Sequence, residues 1–325
     1  MLHVRLTVPT DSCGDVLALL EHDPTVSNLA VVTGASRHPV GDLFLFNLAR
    51  ENATQLLHEL RRLGIHHTGS IAFEEADVLM SDAADAAEKA APGSPADAVI
   101  WESIEAKARE GVQMSWSFVS FLVLATLIAG IGRYLDQPIL IVGAMVVGPE
   151  FAPISSICFA LARPRPRLLA PALTLLLGGF LIATVFACAC WSVAYAFGWI
   201  NAADASTGPA TAFILQPNGW SLVIALLAGT AGVLSLTAAK SSTLVGVFIS
   251  VTTVPAAGTV ALSLAVGNWH GARESATQLG INLVGMVVAG TATFLVQRLI
   301  WRRVGFTPPV ATRRGTRRGG TPSPG

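Results

Sequence analysis

The chain has 325 residues, of which 52% are hydrophobic and only 13% charged, and its 21 basic and 21 acidic side chains balance. An ordinary soluble protein is about a quarter charged, so this composition excludes a wholly soluble domain. Four scattered cysteines (Cys13, Cys158, Cys188, Cys190) suggest no disulfide framework, and residues 1–23 mix in too many charges for a signal peptide.

Residues 1–81 predict a small cytoplasmic α+β domain in the order strand, helix, strand, strand, helix, strand. His3 to Val8 alternates in polarity and ends at Pro9. Asp11 or Ser12 caps a helix carrying Val16, Leu17, Leu19 and Leu20. Leu29–Val32 and Leu43–Phe46 read as strands, with turn residues from Gly34 to Gly41 between them. Leu56, Leu57, Leu60 and Leu63 stripe a helix that stops at Gly64, and Ser70 to Met80 gives the last strand. That βαββαβ order is the ferredoxin-like split motif, which serves regulation and assembly alike. His66 and His67 adjoin without a Cys or Asp at ligand spacing, so a solvated loop is expected there and no metal site.

Residues 82–111 predict a linker and an amphipathic helix. Asp82 to Pro92, alanine-rich and acidic, reads as a flexible tether. Ser94-Pro95-Ala96-Asp97 supplies the start signals of a helix whose Val99, Ile100, Trp101, Ile104 and Ala108 share a face. Two placements stay open: an elbow at the membrane surface with Trp101 at headgroup depth, or a helix packed on the N-terminal domain.

Residues 112–301 predict six transmembrane spans, at 114–132, 138–162, 168–199, 219–239, 243–267 and 276–300. Each meets the about 20 apolar residues needed to cross a bilayer. Arg163, Arg165, Arg167, Lys240 and the arginines from Arg298 onward fall on one side if the spans alternate. The positive-inside rule then places both termini in the cytoplasm of an inner-membrane protein. Residues 302–325 read as a basic disordered tail attracted to anionic headgroups.

The second span is interrupted by Gly148-Pro149-Glu150 and Pro153, and the fifth carries Pro255 at comparable depth. A proline inside a span frees backbone groups that lipid cannot satisfy. Leu140–Met145 and Thr243–Phe248 also echo one another. Spans one to three and four to six then read as a 3+3 inverted repeat with broken second and fifth helices, the plan of many secondary transporters.

The runs Leu127–Gly132, Gly143–Pro149, Lys240–Gly246 and Gln278–Gly285 resemble the bacterial "uncharacterised hydrophobic domain" family, known as domain of unknown function three-eight-nine. The resemblance spans roughly residues 112–300. It implies this architecture, with a ferredoxin-like domain ahead of the spans, and it names no substrate.

Glu150 is the acid well inside a span, and three roles are open to it. It can bind a proton or cation, pair with Arg133 or Lys240, or cap amides freed after Pro149. Ser250, Thr252 and Thr253 lead to Pro255 and can satisfy the opened backbone or line a polar path. Gln278 and Asn282 on the sixth span can bond across helices or touch a solute. The candidate solute or ion site is therefore Pro149, Glu150, Pro153, Ser250, Thr252, Thr253, Pro255, Gln278 and Asn282.

No enzyme motif is present, so no catalysis, cofactor or metal is expected. The expected partners are the lipid bilayer, an unidentified small solute or ion, and further copies of the chain, with no nucleic acid. The sequence reads as a transporter or channel-like protein for a small polar or charged solute, with a cytoplasmic regulatory or assembly domain. The alternative is a non-transporting membrane sensor or scaffold whose N-terminal domain binds a ligand.

Overall fold

The computed structural model describes residues 1–76, 79–91, 93, 99–206, 208–211, 219–238 and 253–304. It divides into two compact units, Met1–Ala98 and Val99–Arg302.

The first unit is built on a four-stranded antiparallel sheet in the order β2-β3-β1-β4. Its elements are β1 (Leu2–Pro9), α1 (Cys13–Glu21), β2 (Val26–Arg37), β3 (Val40–Leu48), α2 (Ala53–Arg62), α3 (Ile65–Thr68), β4 (Ser70–Glu75) and α4 (Asp82–Ala90). Strand β1 buries Leu2, Val4, Leu6 and Val8 on one face, as period-two alternation requires. The register sets Val4 beside Phe46 and Phe73, and Leu6 beside Phe44 and Ile71. Val16 and Leu20 of α1, with Leu56 and Leu60 of α2, complete the core.

Three expectations for this unit are corrected. The stretch Gly34–Gly41 is not all turn: β2 runs to Arg37 and β3 starts at Val40, leaving His38 and Pro39 to reverse the chain. The last strand stops at Glu75 rather than Met80. His66 and His67 sit in the short helix α3 instead of a loop, and both are exposed.

The acidic tether is also helical. The Ser81 hydroxyl accepts from the Ala84 amide at 3.4 Å to open α4, which buries Ala84 and Ala87 and packs on β2 and β3. Alanine is the strongest helix former, and a capped alanine run needs only a surface to dock on.

The second unit is helical: α5 (Trp101–Glu110), α6 (Trp116–Tyr134), α7 (Pro138–Val147), α8 (Phe151–Ala162), α9 (Pro166–Ala196), α10 (Ala202–Ser206), α11 (Gly219–Thr237), α12 (Thr253–Ala265) and α13 (Trp269–Val304). Helices α6, α9, α11 and α13 are long and apolar enough to cross a membrane, and α7 with α8 forms a pair bent by 56°. The described residues therefore hold four to five candidate spans. The first half of the expected fifth span lies outside them, and its second half is α12. Trp199, Trp220 and Trp269 are exposed near the ends of α9, α11 and α13, where indole rings favour the interface of a bilayer. This is a multi-pass membrane protein.

Small residues set the packing, as they do where lipid offers no hydrophobic drive between helices. A Cβ on Gly130 of α6 would lie 2.7 Å from the Trp191 indole nitrogen of α9, and one on Gly179 of α9 would lie 2.8 Å from Phe118 of α6. Helix α12 crosses this α6–α9 pair, and its Gly258 would set a Cβ 2.7 Å from the Thr126 carbonyl oxygen. Helices α11 and α13 pair likewise: Gly229 lies against the Met286 backbone, and a Cβ on Gly285 would be 2.8 Å from that of Ala225. Helix α8 rests on this second pair, with the Cys158 thiol directed at the Val287 carbonyl at 3.6 Å. Phe159 meets Phe294 edge-on there, ring centres 5.9 Å apart.

The amphipathic helix packs within the second unit. Trp101, Ile104 and Ala108 of α5 are buried against the helical unit. The Trp101 ring lies 6.1 Å from that of Phe294 and under the Arg163 guanidinium at 5.3 Å. The Ser156 hydroxyl of α8 donates to the Ala108 carbonyl at 3.0 Å. A short stripe of apolar residues does not specify its partner, and here the partner is α8.

Candidate functional site

The site is built where α7 ends. Pro149 has no N–H to give the carbonyl of Met145 four residues earlier, so the helix cannot continue. The Gly148 amide still donates to the Ala144 carbonyl at 3.2 Å. Gly148 then turns extended (ψ 129°), Glu150 returns to helical angles, and α8 begins at Phe151. Pro153 is the third residue of α8, where a missing N–H is tolerated because first-turn amides have no helical partner. Helix α12 likewise carries a proline as the third of its described residues, Pro255 after Thr253 and Val254.

The two segments meet. The Thr253 hydroxyl donates to Glu150 Oε1 at 2.7 Å, across 103 residues of chain. Glu150 is 6% exposed and Thr253 fully buried. Glu150 Oε2 has no hydrogen-bond partner among the described residues. It lies against Gly148, where an added Cβ would overlap Oε2 and press to 2.7 Å on Val254.

The geometry bears on two of the roles open to Glu150. Its side chain makes no capping hydrogen bond to α8. Arg133 does not pair with it: the guanidinium donates to the Thr211 hydroxyl at 2.7 Å and to the Gly208 carbonyl at 3.3 Å. Arg133 is nevertheless buried, because residues 208–211 fold over the end of α6. Asp136 holds them there by accepting from the Thr211 amide at 2.9 Å and hydroxyl at 2.8 Å. Partial burial would raise the Asp136 carboxyl, but the bonds from Thr211 and Ala210 outweigh it and hold the group below the usual range. Lys240 lies outside the described residues.

The other candidates divide. Ser250 and Thr252 lie outside the described residues. Gln278 and Asn282 are each 2% exposed on α13, one turn apart. Leu279 beside them packs on the Ile141, Met145 and Ala256 cluster, which joins the last turn of α7 to the first of α12. Sequence reasoning missed Gly148 as the wall of the site and Val254 as its neighbour. The close-packed glycine, one residue before the proline, was the available signal.

At the far end of α8 the charges are paired. Arg298 donates to the Ala162 carbonyl at 3.0 Å, satisfying an end carbonyl of the helix. Glu105 of α5 bonds Arg109 at 2.8 Å and Arg165 at 3.3 Å. Burial would raise the Glu105 carboxyl, yet the Arg109 hydrogen bond and the charges of Arg165 and Arg109 hold it below its ordinary value.

Glu150, Thr253, Gln278 and Asn282 all fall inside the stretch that comparison with known families identifies. The chain matches no curated protein and no solved structure. The family match begins at Met145, in the last turn of α7, and is narrower than the resemblance read from the sequence. Residues 145–288 match the family model described as a domain of unknown function (DUF389), and the chain carries that domain.

Proposed function

We propose that the protein moves a small polar or charged solute across the inner membrane, and that the solute passes the junction of Gly148, Glu150 and Thr253. The observation that carries this reading is the hydrogen bond from Thr253 to Glu150, a buried carboxyl joining the interrupted second segment to α12. A carboxyl kept in the apolar part of a membrane protein marks a solute or proton path by default.

The packing supports a six-span, 3+3 inverted-repeat reading. Helix α8, which follows the break in the first half, packs on α9 of that half and also touches α11 and α13 of the second. Helix α12 belongs to the second half and crosses the α6–α9 pair of the first. Contacts of this kind between the halves fit two repeated copies. Arg163, Arg165 and Arg298 gather at one end of α8, which fits cytoplasmic termini. The first unit, ferredoxin-like in strand order, then regulates transport or assembles copies from the cytoplasm.

A second reading, a membrane sensor or scaffold without transport, is favoured by the tight enclosure of Thr253. Thiol labelling separates the two. With Cys13, Cys158, Cys188 and Cys190 replaced, Thr253→Cys in membranes is expected to react with a water-soluble methanethiosulfonate, because transport must open this junction to water. No labelling from either side, in a protein that is labelled at an exposed control position, supports the scaffold.

A further inference from the structure

We infer that the corner between α8 and α9 binds the headgroup phosphate of an anionic phospholipid through Arg163, with Arg165 and Arg298 beside it.

The pairing of charges at this end of α8 leaves Arg163 out. Its guanidinium lies 5.3 Å over the Trp101 ring and makes no hydrogen bond or ion pair among the described residues. The charges acting most on it are those of Glu102, Arg298, Arg165 and Glu105. Glu105 is already bonded by Arg109 and Arg165. Burial pulls the Arg163 guanidinium below the ordinary arginine value; Glu102 opposes this, and the charges of Arg298 and Arg165 add to it. A guanidinium keeps its proton at any physiological pH. The corner therefore holds a half-buried cation among like charges, with its forked N–H donors unused. That fork matches a phosphate, and the indole face fixes its direction.

The surroundings select a lipid over a free anion. Arg163 directly follows α8 and Arg165 directly precedes α9, so both lie where apolar segments reach the membrane surface. Leu161, two residues before Arg163, is 45% exposed, and Leu295, one turn before Arg298 on α13, is 46% exposed. Apolar surface thus adjoins the charges on their membrane side. A ligand with a phosphate and an acyl chain covers both, whereas free phosphate leaves the leucines uncovered. The side read above as cytoplasmic is also the one where anionic lipids draw basic groups to the leaflet.

The test is thermal unfolding of the purified full chain in detergent. The micelles are titrated with dioleoylphosphatidylglycerol or dioleoylphosphatidylcholine, and a third series receives inorganic phosphate at equal ionic strength. Phosphatidylglycerol is expected to raise Tm saturably at concentrations where the other two do not. Arg163→Gln, shown monodisperse, should weaken the apparent affinity for phosphatidylglycerol about tenfold. Arg165→Gln alters a side chain that is 51% exposed and should weaken it about threefold. Arg61→Gln, the same charge change on the exposed face of α2, should leave it unchanged. An equal response to phosphatidylcholine, parent affinity in Arg163→Gln, or an equal loss in Arg61→Gln overturns the inference. If Arg163→Gln does not stay monodisperse, parent affinity in Arg165→Gln overturns it instead. An equal response to inorganic phosphate also overturns it and assigns the arginines to a free anion. None of these results touches the transport reading.

Discussion

At the scale of single residues, the site depends on what Gly148 lacks. Its backbone is in an ordinary region (φ −65°, ψ 129°), so the glycine is required for space and not for conformation. A methyl group there would overlap Glu150 Oε2 and crowd Val254. Gly148→Ala is therefore expected to cost about 1–3 kcal/mol in denaturant unfolding, the usual penalty for overpacking, and to displace the carboxyl from Thr253. Unchanged stability would mean that the junction is looser than described. Gly-Pro-Glu and the polar run before Pro255 were both legible in the sequence. Their meeting was not: apolar periodicity records which residues avoid water, and carries nothing about which helix ends touch across 103 residues.

Among elements, the pairing of spans rests on glycines that let backbones approach. Glycine counting alone does not find them. Of the neighbours Gly178 and Gly179, only Gly179 meets another helix, while a Cβ on Gly178 would meet nothing within 4 Å. Gly258 is the sharpest case, since α12 touches the α6 backbone there. Gly258→Leu is expected to abolish monodisperse protein on size exclusion, whereas Gly143→Leu, facing open space, should leave it intact. Similar behaviour of the two variants would contradict the packing. The short helices show the converse limit of sequence reading. Helix α4 reads as a tether because it is alanine-rich and acidic, and the short apolar stripe of α5 leaves open the membrane surface or the N-terminal domain as its partner. In each case a docking surface decided the outcome: β2 and β3 for α4, and α8 for α5.

At the scale of the whole molecule, composition and charge distribution were enough to read a membrane-spanning region behind a small α+β unit, because hydrophobicity and strand alternation are one-dimensional signals. The division between the units was less legible. The segment 82–111 reads as one linker, yet α4 belongs to the first unit and α5 to the second. Solute, coupling and regulation leave no periodic trace, and they reduce to whether the Glu150 junction conducts. The most direct measurement is solute-driven current or ion flux in liposomes reconstituted with equal amounts of the parent chain and Glu150→Gln, using jumps of alkali cations, protons, amino acids and inorganic anions. The account predicts flux in the parent and none above empty liposomes in the variant. Equal flux in both would contradict it.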